Sequence, residues 1–108
     1  MIITHSGPIY MVTGPTDMRK GQKALEKVVY RYHQSPDHRA MYVFINVLSN
    51  RIKILTWGIG RELRYIPLEP HEEFNWAPPM ACGIIPMTLA KLRQIVSNAS
   101  YVNPDGRW

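Results

Sequence analysis

Lys20, Lys23, Lys27 and Arg31 are spaced three, four and four residues apart. On a helix this spacing sets four cations in one narrow stripe that can meet a row of phosphates. Ala24, Leu25, Val28, Val29 and Tyr32 fall on another stripe of the same helix, suited to a core. Just before it, Thr16-Asp17-Met18-Arg19-Lys20-Gly21 joins a helix-cap signal to the first cations. A Thr or Asp side chain accepts a hydrogen bond from the free N–H groups of a first turn, so the helix is expected to start near Thr16 or Asp17. Further on, Arg51 and Lys53 alternate with Ile52 and Ile54, the pattern of a half-buried strand with two cations on its solvent face. Arg19, Lys20, Lys23, Lys27, Arg31, Arg51 and Lys53 are therefore the candidate phosphate contacts.

Other chemistries find little support. Two-metal cleavage of a phosphodiester needs several carboxylates gathered around the ions, and the chain has eight acids in all. Asp17 reads as a cap, Glu26 and Asp37 as helix-surface and turn residues, and Asp105 lies near the end. Glu69, Glu72 and Glu73 flank Pro70-His71, the best metal candidate, which reads as a solvated loop. His5, His33 and His38 read as surface histidines. Cys82, the single cysteine, forms no internal disulfide and reads as a small buried apolar side chain in a reducing compartment. A Walker loop, a nucleophile elbow and paired-cysteine zinc spacing are absent, and Gly58-Ile59-Gly60 lies between strands instead of opening a helix. Trp57, Trp76 and Tyr65 read as packing residues, with stacking on bases as the alternative. No catalytic residue, metal or organic cofactor is expected.

The elements that must position the cations follow from length and pattern. A chain of 108 residues fits one small domain over 1–108, with residues from about 97 onward frayed. No segment approaches the ~20 apolar residues of a membrane span, and no basic leader precedes a long apolar run, so a cytoplasmic protein without a membrane partner is expected. Residues 1–68 carry ten basic and four acidic side chains and residues 69–108 three and four. The first two thirds is thus the candidate polyanion surface, although such an excess also serves solubility alone.

Ile9 to Val12 reads as a strand bounded by Gly7-Pro8 and Gly14-Pro15, followed by a helix from about Asp17 to His33 that Ser35-Pro36-Asp37 ends. Met41 to Val47 and Arg51 to Trp57 read as a hairpin turned at Ser49-Asn50, and Glu62 to Leu68 as an edge strand because of Pro67. Glu72 to Trp76 is a further short strand, and Thr88 caps a helix bearing Leu89, Leu92, Ile95 and Val96. The expected fold is α+β: a small antiparallel sheet of about four or five strands with two helices packed on one face. Val28, Val29, Val43, Ile52, Ile54 and Leu92 are expected to share one core.

Several of these motifs in order resemble the TnpB family, the small accessory proteins encoded by the second open reading frame of IS66-type bacterial insertion sequences. They run from Val12-Thr13-Gly14 and Thr16-Asp17-Met18-Arg19-Lys20-Gly21 through Met41-Tyr42-Val43-Phe44 and Arg51-Ile52-Lys53-Ile54-Leu55-Thr56-Trp57 to Leu68-Glu69, Phe74-Asn75-Trp76 and the Leu92 helix. The family is unrelated in mechanism to the RNA-guided nucleases that share the name. The resemblance implies a non-catalytic helper of transposition that works beside a separate transposase. Two departures stand out: Asn46-Val47-Leu48-Ser49-Asn50 replaces a basic, Arg- and Gly-rich turn, and Gly58-Ile59-Gly60-Arg61 replaces an acidic Gly-Asp turn. The combined expectation is weak, largely electrostatic DNA binding through the seven cations. The rival is an interaction module that binds the transposase or itself, as a homo-oligomer, through a strand edge or Ile84-Ile85.

Overall fold

The computed structural model describes residues 5–56, 62–68, 72–74 and 81–97. Five strands form one sheet: β1 (Ile9–Thr13), β2 (Met41–Ile45), β3 (Arg51–Thr56), β4 (Glu62–Pro67) and β5 (Gly83–Met87), in the order β4-β3-β2-β1-β5. Helix α1 (Gln22–Tyr32) joins β1 to β2, and α2 (Leu89–Ile95) follows β5. The class is α+β, as the sequence implies, but the sheet is mixed where an antiparallel one was expected. β1 runs parallel to β2 with Ile9 opposite Met41 and Met11 opposite Val43, while the remaining pairs are antiparallel. Parallel neighbours need a long crossover, and α1 is that crossover.

The helices pack on opposite faces of the sheet, not on one. Along β2, Met41, Val43 and Ile45 belong to a cluster with Met11, Ile52, Ile54, Leu92 and Ile95, whereas Tyr42 and Phe44 belong to another with Val12, Leu25, Val29 and Leu55. Since side chains alternate across a strand, α2 covers the first face and α1 the second. The single core expected from the sequence is thus two cores back to back. Val28 and Val29 lie on the α1 side and Val43, Ile52, Ile54 and Leu92 on the α2 side. All five residues of β2 are buried.

Helix α1 starts at Gln22, five residues later than Asp17, and its N-cap is Gly21 with no side-chain cap. Asp17 is engaged elsewhere: its carboxylate accepts from the Arg19 backbone N–H at 2.9 Å and closes a local turn, a competing use open to any Asp. At α2 the expected cap forms, with Thr88 Oγ1 accepting from the Lys91 N–H at 3.1 Å.

β5 forms where the sequence pattern predicts a loop. Its Pro86 sits opposite Tyr10 at the sheet edge, where a missing N–H is tolerated. The short strand expected at Glu72 to Trp76 does not form at Glu72, Glu73 and Phe74. Instead the Phe74 N–H donates to the Ser49 carbonyl at 2.6 Å, and Asn75 and Trp76 lie outside the described residues. So do Trp57, Gly58, Gly60, Glu69, His71 and the tail from 98. At the start of the described chain, Gly7 passes so close to the Arg39 carbonyl that a Cβ would collide with it. That approach lets the Met41 N–H reach the Pro8 carbonyl at 2.9 Å and sets β1 beside β2.

Cutting either core should be costly. Ile54→Ala on the α2 side and Leu25→Ala on the α1 side, both fully buried, are each expected to lose ~2–5 kcal/mol in urea unfolding. Val47→Ala, at an exposed turn, should stay within ~0.5 kcal/mol. A near-neutral Leu25→Ala would show that α1 does not close the second face.

Candidate nucleic-acid interface

The surface of α1 is set by its buried side. Leu25 and Val29, one turn apart, are fully buried against the sheet, which turns Lys23, Lys27 and Arg31 outward, and all three are exposed. Tyr30, 47% exposed, falls beside them on the same stripe. Arg31 stands in the last helical turn, where the helix dipole welcomes a cation. Lys23 stands in the first turn, which contains no acid and carries the positive end of that dipole. A cation there opposes the helix by roughly 0.3–1 kcal/mol, so Lys23 does not serve helix stability. Lys20 is exposed in the loop before the helix, and is therefore off the strict helical period.

Arg19 and Asp17 close the preceding turn. The guanidinium Nη2 donates to Asp17 Oδ2 at 2.7 Å, and Nε is shared between both carboxylate oxygens at 3.1 Å. These hydrogen bonds, with that from the Arg19 N–H, hold the Asp17 carboxyl at about 2, below its ordinary value. The turn is moored to the sheet by the Thr16 N–H, which donates to the Ile45 carbonyl at 2.8 Å. Arg19 itself remains 92% exposed.

Arg51 and Lys53 do not share this surface. Lys53 is only 5% exposed: its ammonium donates to the Lys20 carbonyl at 2.8 Å and lies 5.5 Å from the centre of the Tyr65 ring. Burial lowers its pKa. The expected solvent face of β3 is covered here by the loop leading into α1, so Lys53 is a mooring for that loop. Arg51 Nη1 donates to the Asn50 and Leu68 carbonyls at 2.9 and 2.8 Å, strapping the start of β3 to the end of β4. The structure thus gathers Lys23, Lys27 and Arg31 on one exposed stripe, sets Arg19 and Lys20 at its N-terminal end, and withdraws Arg51 and Lys53 into structural contacts.

Three further residues depart from expectation. His33 is not a free surface histidine: its Nδ1 lies 3.2 Å from the Tyr42 hydroxyl, and its ring meets Tyr10 edge-on at 5.0 Å. Burial raises the Tyr42 phenol pKa. Cys82, expected to be buried, is exposed just before β5. Tyr30, three residues after Lys27, joins the stripe although its residue type does not single it out in the sequence. Val47 and Leu48 at the β2–β3 turn are 66% and 64% exposed. Among the described residues no three His, Cys, Asp or Glu side chains are grouped to hold a metal ion, and no helix is long and apolar enough to cross a membrane.

The family model for IS66 Orf2-like proteins matches residues 7–105. The chain belongs to that family. No curated protein and no solved structure matches it at a significant level. Membership in the IS66 Orf2-like family ties the chain to transposition in an accessory role, and the family is not one of known enzymes.

The Asp17–Arg19 turn can be checked by titration. In carboxyl-detected NMR the Asp17 midpoint should lie near 2, and in Arg19→Ala it should rise toward the ordinary value of about 3.9. The sign follows: the folded value is depressed, so the turn's contribution is complete above the unfolded value and is lost as pH falls through about 2. An ordinary midpoint in the unsubstituted protein would mean that the turn is open in solution.

Proposed function

We propose that this IS66 Orf2-like protein is a non-catalytic DNA-associated accessory of transposition, acting in the bacterial cytoplasm beside the transposase of the same element. Duplex phosphates lie along α1 against Lys23, Lys27 and Arg31, with Lys20 and Arg19 at the N-terminal end. The observation that carries this reading is the exposed cation row itself, which includes Lys23 at the end of the helix where a cation opposes folding. Contacts of this kind position a protein without reading bases, so the binding is weak and nearly independent of sequence. Tyr30 adds a hydroxyl and a ring edge to the same row.

A second reading has its own support. Ile85 is 40% exposed on β5, an edge strand, and an exposed edge can pair with a strand of another chain. On that reading the protein docks on the transposase or on itself, and the stripe is only solvated.

Salt separates the two. If Lys20, Lys23, Lys27 and Arg31 neutralise about four phosphates, log affinity should fall with log salt at a slope of roughly −3.6. Lys23→Glu with Lys27→Glu should weaken binding and flatten the slope without lowering the melting temperature, since both sites are exposed and an acid at position 23 suits the first helical turn. Lys53→Met should leave the slope unchanged, because its ammonium is spent on the Lys20 carbonyl. Absence of salt-sensitive DNA binding, with or without the transposase, would move the docking reading to first place.

A further inference from the structure

The turn between β2 and β3 carries Val47 and Leu48, the most exposed large apolar side chains among the described residues, at 66% and 64%. Turns ordinarily carry Gly, Asn, Asp or Ser at their tips, where water must be faced. The polar residues are present here, but they sit underneath and stiffen the base. Asn46 Oδ1 accepts from the backbone N–H groups of Asn50 and Arg51 at 3.0 and 2.9 Å, and Asn46 Nδ2 donates to Asn50 Oδ1 at 2.7 Å. The Ser49 N–H donates to the Asn46 carbonyl at 3.1 Å, Ser49 takes a left-handed φ of 57°, and its carbonyl receives the Phe74 N–H. The tip is therefore a braced pair of apolar side chains held away from both cores.

Its surroundings carry both signs of charge. A shallow open groove of about 320 Å³ at the side of the tip is lined by Pro15, Thr16, Asp17, Met18, Asn46 and Val47; Arg19, paired with Asp17, and Lys20 follow these residues in the chain, both exposed. The Thr16 N–H on the Ile45 carbonyl ties this wall to the root of the turn.

We infer that Val47 and Leu48 form a wedge that enters duplex DNA between adjacent base pairs and kinks it, while Arg19 and Lys20 hold the flanking phosphates. Size favours DNA over protein as the occupant. A stable protein interface covers roughly 800 Å² on each partner, far beyond two side chains, whereas a wedge needs only one or two apolar side chains with phosphate contacts beside them. The inference rests on the DNA-binding reading above.

The test uses the full chain with a short duplex that carries a fluorescence-transfer pair at its ends or a 2-aminopurine reporter inside. The unsubstituted protein should shorten the end-to-end distance and raise 2-aminopurine emission by unstacking it. Val47→Ser with Leu48→Ser, checked by circular dichroism, should retain the salt slope and lose both signals, whereas Lys23→Glu with Lys27→Glu should weaken binding itself. Salt-sensitive binding with neither signal in the unsubstituted protein, or with both retained in the serine variant, overturns the wedge and leaves the phosphate contacts standing. No DNA binding at any salt removes both ideas. Loss of self-association or of transposase capture in the serine variant, with bending intact, overturns the wedge and makes the tip a protein contact.

Discussion

Burial of β2 on both of its faces is the constraint that orders the molecule. A strand reading Met-Tyr-Val-Phe-Ile has no polar side to offer water, so each face must be covered, and the described residues supply two helices to do it. α1 takes the Tyr42 and Phe44 side and α2 the Val43 side. With β2 central, β1 is brought alongside by the α1 crossover, and β3 by its short hairpin. The outer positions fall to β4 and β5, the two strands that contain proline.

The same arrangement decides which cations meet solvent. Covering the α1 side of β3 brings the loop before α1 across Lys53, whose charge is then tolerated because its ammonium has the Lys20 carbonyl for a partner. Burying an ammonium without such a partner would be costly. The loop held in this way presents Arg19 and Lys20 outward, and the burial of Leu25 and Val29 presents Lys23, Lys27 and Arg31. Lys53 of the strand thus positions the cations of the loop, and the core residues of α1 position those of the helix.

The sequence is most legible where local chemistry has one outlet. Thr88 caps α2 through its hydroxyl, and the alternation of Ile52 and Ile54 marks one face of β3 correctly. It misleads where a group has two outlets. Asp17 can cap a helix or bind its own turn, and Arg19 two residues on selects the turn. Alternation around Lys53 tells which residues share a face, but it cannot tell that another segment will cover that face. β5 escapes because Ile84-Ile85 is too short to show a period and Pro86 argues against a strand anywhere but an edge. The parallel pairing was open to inference, since a long connection containing a helix between two strands is the usual βαβ signal. The uninterrupted apolar run of β2 likewise indicates a strand covered on both sides.

The β2–β3 turn has a frame that is independent of the two side chains at its tip. The turn's shape depends on Asn46, Ser49 and Asn50, whose hydrogen bonds engage the backbone and one another and make no demand on the two residues between them. Those two positions are therefore free to vary in chemistry. Cations there would add to the phosphate contacts and raise the salt dependence of binding. Val47 and Leu48 add none, so any affinity drawn from the tip has to come from removing apolar surface from water, a term that salt does not screen. On the proposed reading, cations on α1 and an apolar pair at the turn would separate attraction to the duplex from deformation of it, each carried by a different element of the same fold.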